Sequence, residues 1–182
     1  MSTNLTYLGD TPLSEAVSQT RAAPVAASAE TAPAYDLIEL FFFAYRDFVA
    51  DPDRILAEYG FGRAHHRVLH FVARRPGMTV AELLDILRIT KQSLNRVLKE
   101  LVDKGFVVQQ TGRTDRRQRL LSPTPEGREL AVRMARLQTR RIAHALGAGE
   151  DEDAVGRFLV GMIDAGERAK VRERLSGSNL SG

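Results

Sequence analysis

Apolar residues recur at helical spacing along most of the chain. Between Tyr35 and Ala50 they occupy Leu37, Ile38, Leu40, Phe41, Phe42, Phe43, Tyr45, Phe48 and Val49. A helix this apolar around its whole circumference is tolerated when it is enclosed on more than one side. A chain of 182 residues has little spare core for that purpose, so a second subunit is the expected cover. Asp51-Pro52 is expected to end the helix, because the residue before a proline is driven out of the helical region. A second helix is expected over Arg63–Arg75, burying Val68, Leu69, Phe71 and Val72 and stopping at Pro76-Gly77. Thr79-Val-Ala-Glu82 is a capping box, in which hydroxyl and carboxylate each satisfy a backbone N–H of the first turn. It opens a short helix carrying Leu83, Leu84, Ile86 and Leu87.

After a turn at Arg88-Ile89, Thr90 caps a further helix over Lys91–Lys104, closed by Gly105 in the left-handed region. Its apolar residues fall at Leu94, Val97, Leu98, Leu101 and Val102, one buried stripe. Lys91, Gln92, Asn95, Arg96 and Lys99 therefore point outward. Phe106–Gln110 and Gln118–Ser122 have the character of strands, joined by a basic loop in which Gly112 and Asp115 form turns. Thr124-Pro125 starts a helix reaching about Leu146, where Gly147 and Gly149 interrupt it. A last helix opens on the acids Glu150–Asp153, with a stripe at Val155, Phe158, Leu159, Met162 and Ile163. Residues 1–32 and 176–182 lack any sustained period and read as a disordered arm and tail. The fold class is mainly α with a small β-wing.

Charge changes the picture more than composition does. The net charge is +3, but residues 88–141 alone carry +9 and the stretches on either side are weakly acidic. A field concentrated in this way survives to separations near the Debye length and attracts a polyanion. The absence of cysteine rules out disulfides, thiolate metal sites and cysteine catalysis. No apolar run approaches the roughly 20 residues of a membrane span, and Met1–Asp10 lacks signal-peptide character. A cytoplasmic, nucleoid-associated protein with no membrane partner is expected.

Two short capped helices, a tight turn and a basic hairpin make a winged helix-turn-helix, expected over residues 63–123. The major groove admits one helix, and polar side chains near its N-terminus reach base edges. Gln92 and Asn95 carry the paired donor and acceptor that adenine presents, and Arg96 suits guanine or phosphate. Thr90, Lys91 and Ser93 stand where phosphates would lie, and Lys99 extends the same outward face. Arg113, Arg116 and Arg117 of the hairpin are placed to enter the neighbouring minor groove. Double-stranded DNA is the expected partner.

Thr79-Val-Ala-Glu-Leu-Leu84, Thr90-Lys-Gln-Ser-Leu-Asn-Arg-Val-Leu98, Leu101-Val-Asp-Lys-Gly-Phe106, Thr114-Asp-Arg-Arg117 and Thr124-Pro-Glu-Gly127 together resemble the MarR family of bacterial transcription regulators, over about residues 35–175. The resemblance implies that Asp115 braces the wing and Arg117 enters the minor groove. It also implies a homodimer, with a dimerisation helix in residues 33–62 and further dimerisation helices in 124–175. A small-molecule effector would then sit near Tyr45, Tyr59, Arg63 and His66, unless these residues serve core and hinge packing alone. The family usually has Leu-Thr where this chain has Pro123-Thr124, so the end of the second wing strand is expected to differ.

His66 and His70 lie four residues apart and could grip a divalent ion, but a third ligand would have to come from Glu39, Asp47 or Glu58. The competing reading is a set of partly buried, hydrogen-bonded histidines with no metal. No cofactor is implied. Nucleophile-elbow, phosphate-loop and His-Glu-x-x-His patterns are missing, which argues against an enzyme. The alternative of another kind is a winged-helix module that docks to protein, such as an RNA polymerase contact.

Overall fold

The computed structural model describes residues 32–112, 117–147 and 152–176. The chain divides into two compact units, residues 1–38 and 39–182. In the first, residues 32–34 lead into the opening turn of a helix and Tyr35, Leu37 and Ile38 are exposed. Residues 1–31 of the expected arm (1–32), 177–182 of the tail (176–182), 113–116 of the wing loop, and Glu150 and Asp151 of the expected acidic helix start Glu150–Asp153 lie outside the described residues.

The first helix, α1, spans Tyr35–Ala57 and continues through Pro52 rather than ending before it. Proline inside a helix removes one backbone hydrogen bond. The reason it is accepted lies in the next turn, where Ile55 and Leu56 enter the core, Leu56 completely. The expected stop at Asp51-Pro52 is therefore corrected. Helix α2 (Arg63–Arg74) follows the reading closely, except that Phe71 is only half-buried.

A two-residue strand, β1 (Met78–Thr79), was not expected and makes the sheet three-stranded. Helix α3 (Val80–Leu87) then starts from the capping box: Thr79 Oγ1 accepts from Glu82 N at 3.1 Å, and Glu82 Oε2 accepts from Thr79 N at 2.6 Å. Helix α4 (Lys91–Asp103) is capped by Thr90, whose hydroxyl accepts from Ser93 N at 3.2 Å. Leu94, Val97, Leu98 and Leu101 are buried as expected, whereas Val102 reaches the surface. The wing strands are β2 (Val107–Thr111) and β3 (Arg119–Pro123), and the sheet order is β1-β3-β2. Pro123 is absorbed as the last residue of β3, opposite Val107. The ladder then hands on to Thr124, whose N–H bonds to Phe106 O at 3.1 Å.

Helix α5 (Pro125–Leu146) begins at a crowded corner. The Thr124 hydroxyl accepts from Gly127 N at 3.0 Å and donates to Gly105 O at 2.7 Å, joining the start of α5 to the end of α4. A Cβ at position 127 would stand 1.9 Å from the Phe106 carbonyl oxygen, and backbone cannot yield as a side chain does. Gly127→Ala is expected to lower stability by about 2–4 kcal/mol. Urea titration of the variant measures this, and an unchanged midpoint would show that the corner relaxes freely.

The expected single last helix is two: α6 (Glu152–Gly161) and α7 (Arg168–Ser176). Arg168 lies at the join, its guanidinium donating to Ile163 O at 2.8 Å and Gly161 O at 2.7 Å. It thereby satisfies carbonyls that a broken helix leaves open. In the 39–182 unit one core gathers residues of α1, α2, α3, α4, α5 and the sheet, with Leu56, Leu69, Leu83, Leu94, Leu98, Leu101, Leu121 and Met134 fully enclosed. Neither α6 nor α7 contributes a buried residue.

Candidate nucleic-acid interface

The buried stripe of α4 turns its opposite face outward. Lys91, Gln92, Ser93, Asn95, Arg96 and Lys99 are all exposed, and so is Thr90. They are not equivalent. Thr90 and Ser93 are engaged with each other, since the Thr90 hydroxyl donates to Ser93 Oγ at 2.9 Å while capping the helix. Lys99 is paired with Asp103 one turn on, and this hydrogen bond holds its ammonium above the usual lysine range. Gln92, Asn95 and Arg96 are thus the residues of the face whose length and chemistry suit base edges.

The wing stands beside this face. Lys91 and Asn95 of α4 share a cleft of about 420 Å³ with Gln109 of β2 and Arg117, Gln118 and Arg119 of the hairpin. Gly112 N bonds to Gln118 O at 3.0 Å, closing the described base of the loop. Arg119 donates to the Thr111 hydroxyl at 3.0 Å across the two strands. Of the expected wing residues, Arg117 is described and exposed, whereas Arg113, Asp115 and Arg116 lie outside the described residues. Gln109, Gln118 and Arg119 were not singled out from the sequence. Strand alternation beside the recognition helix was the only available signal, and it required knowing which side of the hairpin faces α4.

Behind α4, its orientation is held by an aromatic and histidine cluster. His65 Nδ1 accepts from Gly62 N at 3.1 Å, which leaves Nε2–H to donate to Glu100 Oε2 of α4 at 2.9 Å. The imidazole stacks on Phe61 with centroids 4.6 Å apart, and Tyr59 and Phe106 complete the group. Lys104 lies over the Phe61 ring and donates to Tyr59 O. Tyr59 therefore belongs to the support of α4. Arg63 and His66 interact with Asp53, and Tyr45 is an electrostatic neighbour of Arg63. Arg63 Nε bonds Asp53 Oδ2 at 2.9 Å.

His66 is buried. Burial holds it below the ordinary histidine value, opposed by Asp53 and by a hydrogen bond with Gln138. His70 is depressed further, to about 4, by burial and then by the neighbouring charges of His66, Arg74 and Arg75. Among the described residues no group of three histidines or carboxylates is arranged to hold a metal ion, so the His66–His70 pair has no third ligand there. The His70 shift has a definite sign. Its folded value lies below the ordinary 6.5, so the unfolded chain binds more protons between about pH 6.5 and pH 4. The stability from a neutral His70 is complete above that window and is lost as the pH falls through it, by up to about 3 kcal/mol. Urea unfolding at pH 7.5 and 4.5 should show this loss, and His70→Gln should flatten the profile. An equally steep profile in the variant would assign the effect to other groups.

The capped helix pair, recognition helix and wing define a winged helix-turn-helix protein. A family model described as MarR family matches residues 59–118. The chain is 46% identical over 133 residues to the HTH-type transcriptional regulator PetP of Rhodobacter capsulatus, covering 72% of this chain and 80% of that protein. The chain belongs to the MarR family of transcriptional regulators. Its fold is similar to the MarR protein from Peptoclostridium difficile DA00132, with a TM-score of 0.60 at 20% identity, over 74% of this chain and 89% of that one. It is also similar to the transcriptional repressor CouR bound to a 23-mer DNA duplex, with a TM-score of 0.55 at 24% identity, over 70% and 89% of the two chains. No described helix is long and apolar enough to cross a membrane.

Proposed function

We propose that this regulator binds a pseudo-palindromic DNA operator as a homodimer, each subunit laying α4 in the major groove and its wing along the adjacent minor groove. The observation that carries the reading is the two-sidedness of α4. Leu94, Val97, Leu98 and Leu101 are enclosed, while Gln92, Asn95 and Arg96 are exposed and Asn95 shares a cleft with Arg117. The similar fold of a repressor described as bound to a DNA duplex supports it. Residues 63–123 form the reader. Residues 33–62 and 124–175 supply the subunit contacts, for which the exposed aromatic side chains of α1 provide the apolar surface. Half-sites would then lie about one helical turn, roughly 34 Å, apart. A small acidic effector is assigned to the neighbourhood of Tyr45, Tyr59, Arg63 and His66, where it would favour one spacing of the two α4 helices over another. The protein would act in the cytoplasm.

The test separates base reading from general attraction. Asn95→Ala is expected to cost about 1–3 kcal/mol on the operator and to relax sequence choice. Arg116→Ala should weaken all duplexes alike and flatten the salt dependence. Equal losses on operator and random duplex for the Asn95 variant would remove its base-reading role. Absence of binding to any duplex, with binding to RNA polymerase retained, would establish the protein-docking alternative.

A further inference from the structure

The C-terminal helix α7 and Glu167, the residue before it, touch the helix-turn-helix at α3 and at the turn that launches α4. Glu167 Oε2 lies 2.9 Å from the guanidinium of Arg88. Arg88 occupies the left-handed region at φ 51°, the only non-glycine residue with positive φ among the described residues. That conformation costs energy for a side chain bearing a Cβ. It is held by the Arg88 N–H to Leu84 O at 2.9 Å and by the Arg67 guanidinium to Leu87 O at 3.1 Å, next to the Glu167 contact. Four residues before Arg67's acceptor partner ends α3, Leu83 is anchored in the core, and beside it Asp85 is paired with Arg174 of α7. The carbonyl of the same Arg174 accepts from Arg75 Nη2, at the end of α2, at 2.6 Å. Ile86, Met162, Ile163 and Val171 line the space between these groups.

An isolated surface ion pair contributes little to stability. These contacts differ in being several and in spanning the end of α2, the helix α3 and the turn that follows it. Glu167 and Arg174 retain only about a quarter of their side-chain exposure, at 24% and 28%. Arg168, by bonding Ile163 O and Gly161 O, also ties the start of α7 to the end of α6, so that a shift of α6 is passed on to α7.

We infer that α7 is a clasp on the helix-turn-helix, with Glu167 and Arg174 as positioning residues that hold the turn before α4 and thereby set the orientation in which α4 meets DNA. The inference rests on the proposed DNA-reading role of α4. It adds a route by which a rearrangement of α6 reaches the reader without any change in the DNA-contacting residues.

The experiment uses the full chain carrying Arg174→Asp, Glu167→Gln, or the swapped pair Asp85→Arg with Arg174→Asp. Amide hydrogen exchange over residues 86–93 of the free protein is expected to quicken about tenfold in the first two and to return towards the wild-type rate in the swap, with Val68–Val72 unchanged. Operator affinity should fall about tenfold for Arg174→Asp and recover in the swap, while affinity for a random duplex stays the same. Unchanged exchange in Arg174→Asp and Glu167→Gln overturns the clasp, whatever the DNA result. Quickened exchange with undiminished operator affinity overturns the positioning role. A wild-type chain that binds no operator refutes the proposed function instead, and the exchange arm still decides whether the clasp exists. Glu167→Gln, an isosteric change, serves this purpose even if the charge reversal prevents folding.

Discussion

Raising monovalent salt from about 50 to 200 mM is expected to weaken operator binding about 10⁴-fold. Residues 88–141 carry a charge of +9 in a chain whose total is only +3, and +6 of it falls in residues 88–124, which hold α4 and the wing, so attraction to phosphates is strongest there. If each subunit neutralises about four phosphates, a dimer releases the counterions of about eight, and log K falls against log salt with a slope near −7. Fluorescence anisotropy with a labelled operator across that salt range measures the slope directly. A slope shallower than about −3 would mean that the basic segment does not lie along the duplex. Lys99 is excluded from the count because Asp103 already neutralises it, and Lys99→Ala should leave the slope nearly unchanged.

Charging the exposed aromatic surface should abolish the dimer. Leu40, Phe41, Phe42, Phe43 and Tyr45 of α1, Val155, Phe158 and Leu159 of α6 and Met162 just after it are exposed, Phe42 at 66% and Phe158 at 59%. So many large apolar side chains in contact with water mark a surface that another surface covers. Burying one phenylalanine is worth about 1.5–3 kcal/mol, and each of these positions occurs twice in a homodimer. Phe42→Glu with Phe158→Glu is therefore expected to raise the dimer dissociation constant at least about a thousandfold. Sedimentation velocity would show a monomer at micromolar concentration, and operator affinity would fall with it. A variant that still sediments as the wild-type dimer would show that these faces are covered by something other than a second copy.

The elements that were legible in the sequence are those built from neighbours. Thr79 with Glu82, Thr90 with Ser93 and Thr124 with Gly127 each lie three residues apart, the reach of a first-turn cap, and each occurs in the structure as written. The outward face of α4 followed equally directly from the spacing of Leu94, Val97, Leu98 and Leu101. The misreadings share a different origin. Pro52 ends a helix in isolation, but here Ile55 and Leu56 find a core just beyond it. Met78 and Thr79 are too few to signal a strand, and they form one only because Leu120 and Leu121 of β3 lie opposite. The packing of the Tyr59 ring with Phe61 and Phe106 on the support of α4 was not legible, because it depends on where the tertiary fold places Phe106.

The amino-acid order by itself determined α2 to α5, their caps, the basic centre and the polar face of α4, because periodicity, capping and charge act over a few residues or add along the chain. Tertiary structure alone decided that β1 completes the sheet, that Arg119 and Gln109 share a cleft with Asn95, that His65 braces α4 through Glu100, and that Glu167 and Arg174 meet Arg88 and Asp85. These contacts join residues from about fourteen to ninety positions apart. At such separations no local pattern specifies a partner, and the pairing follows only from how the packed core places the helices.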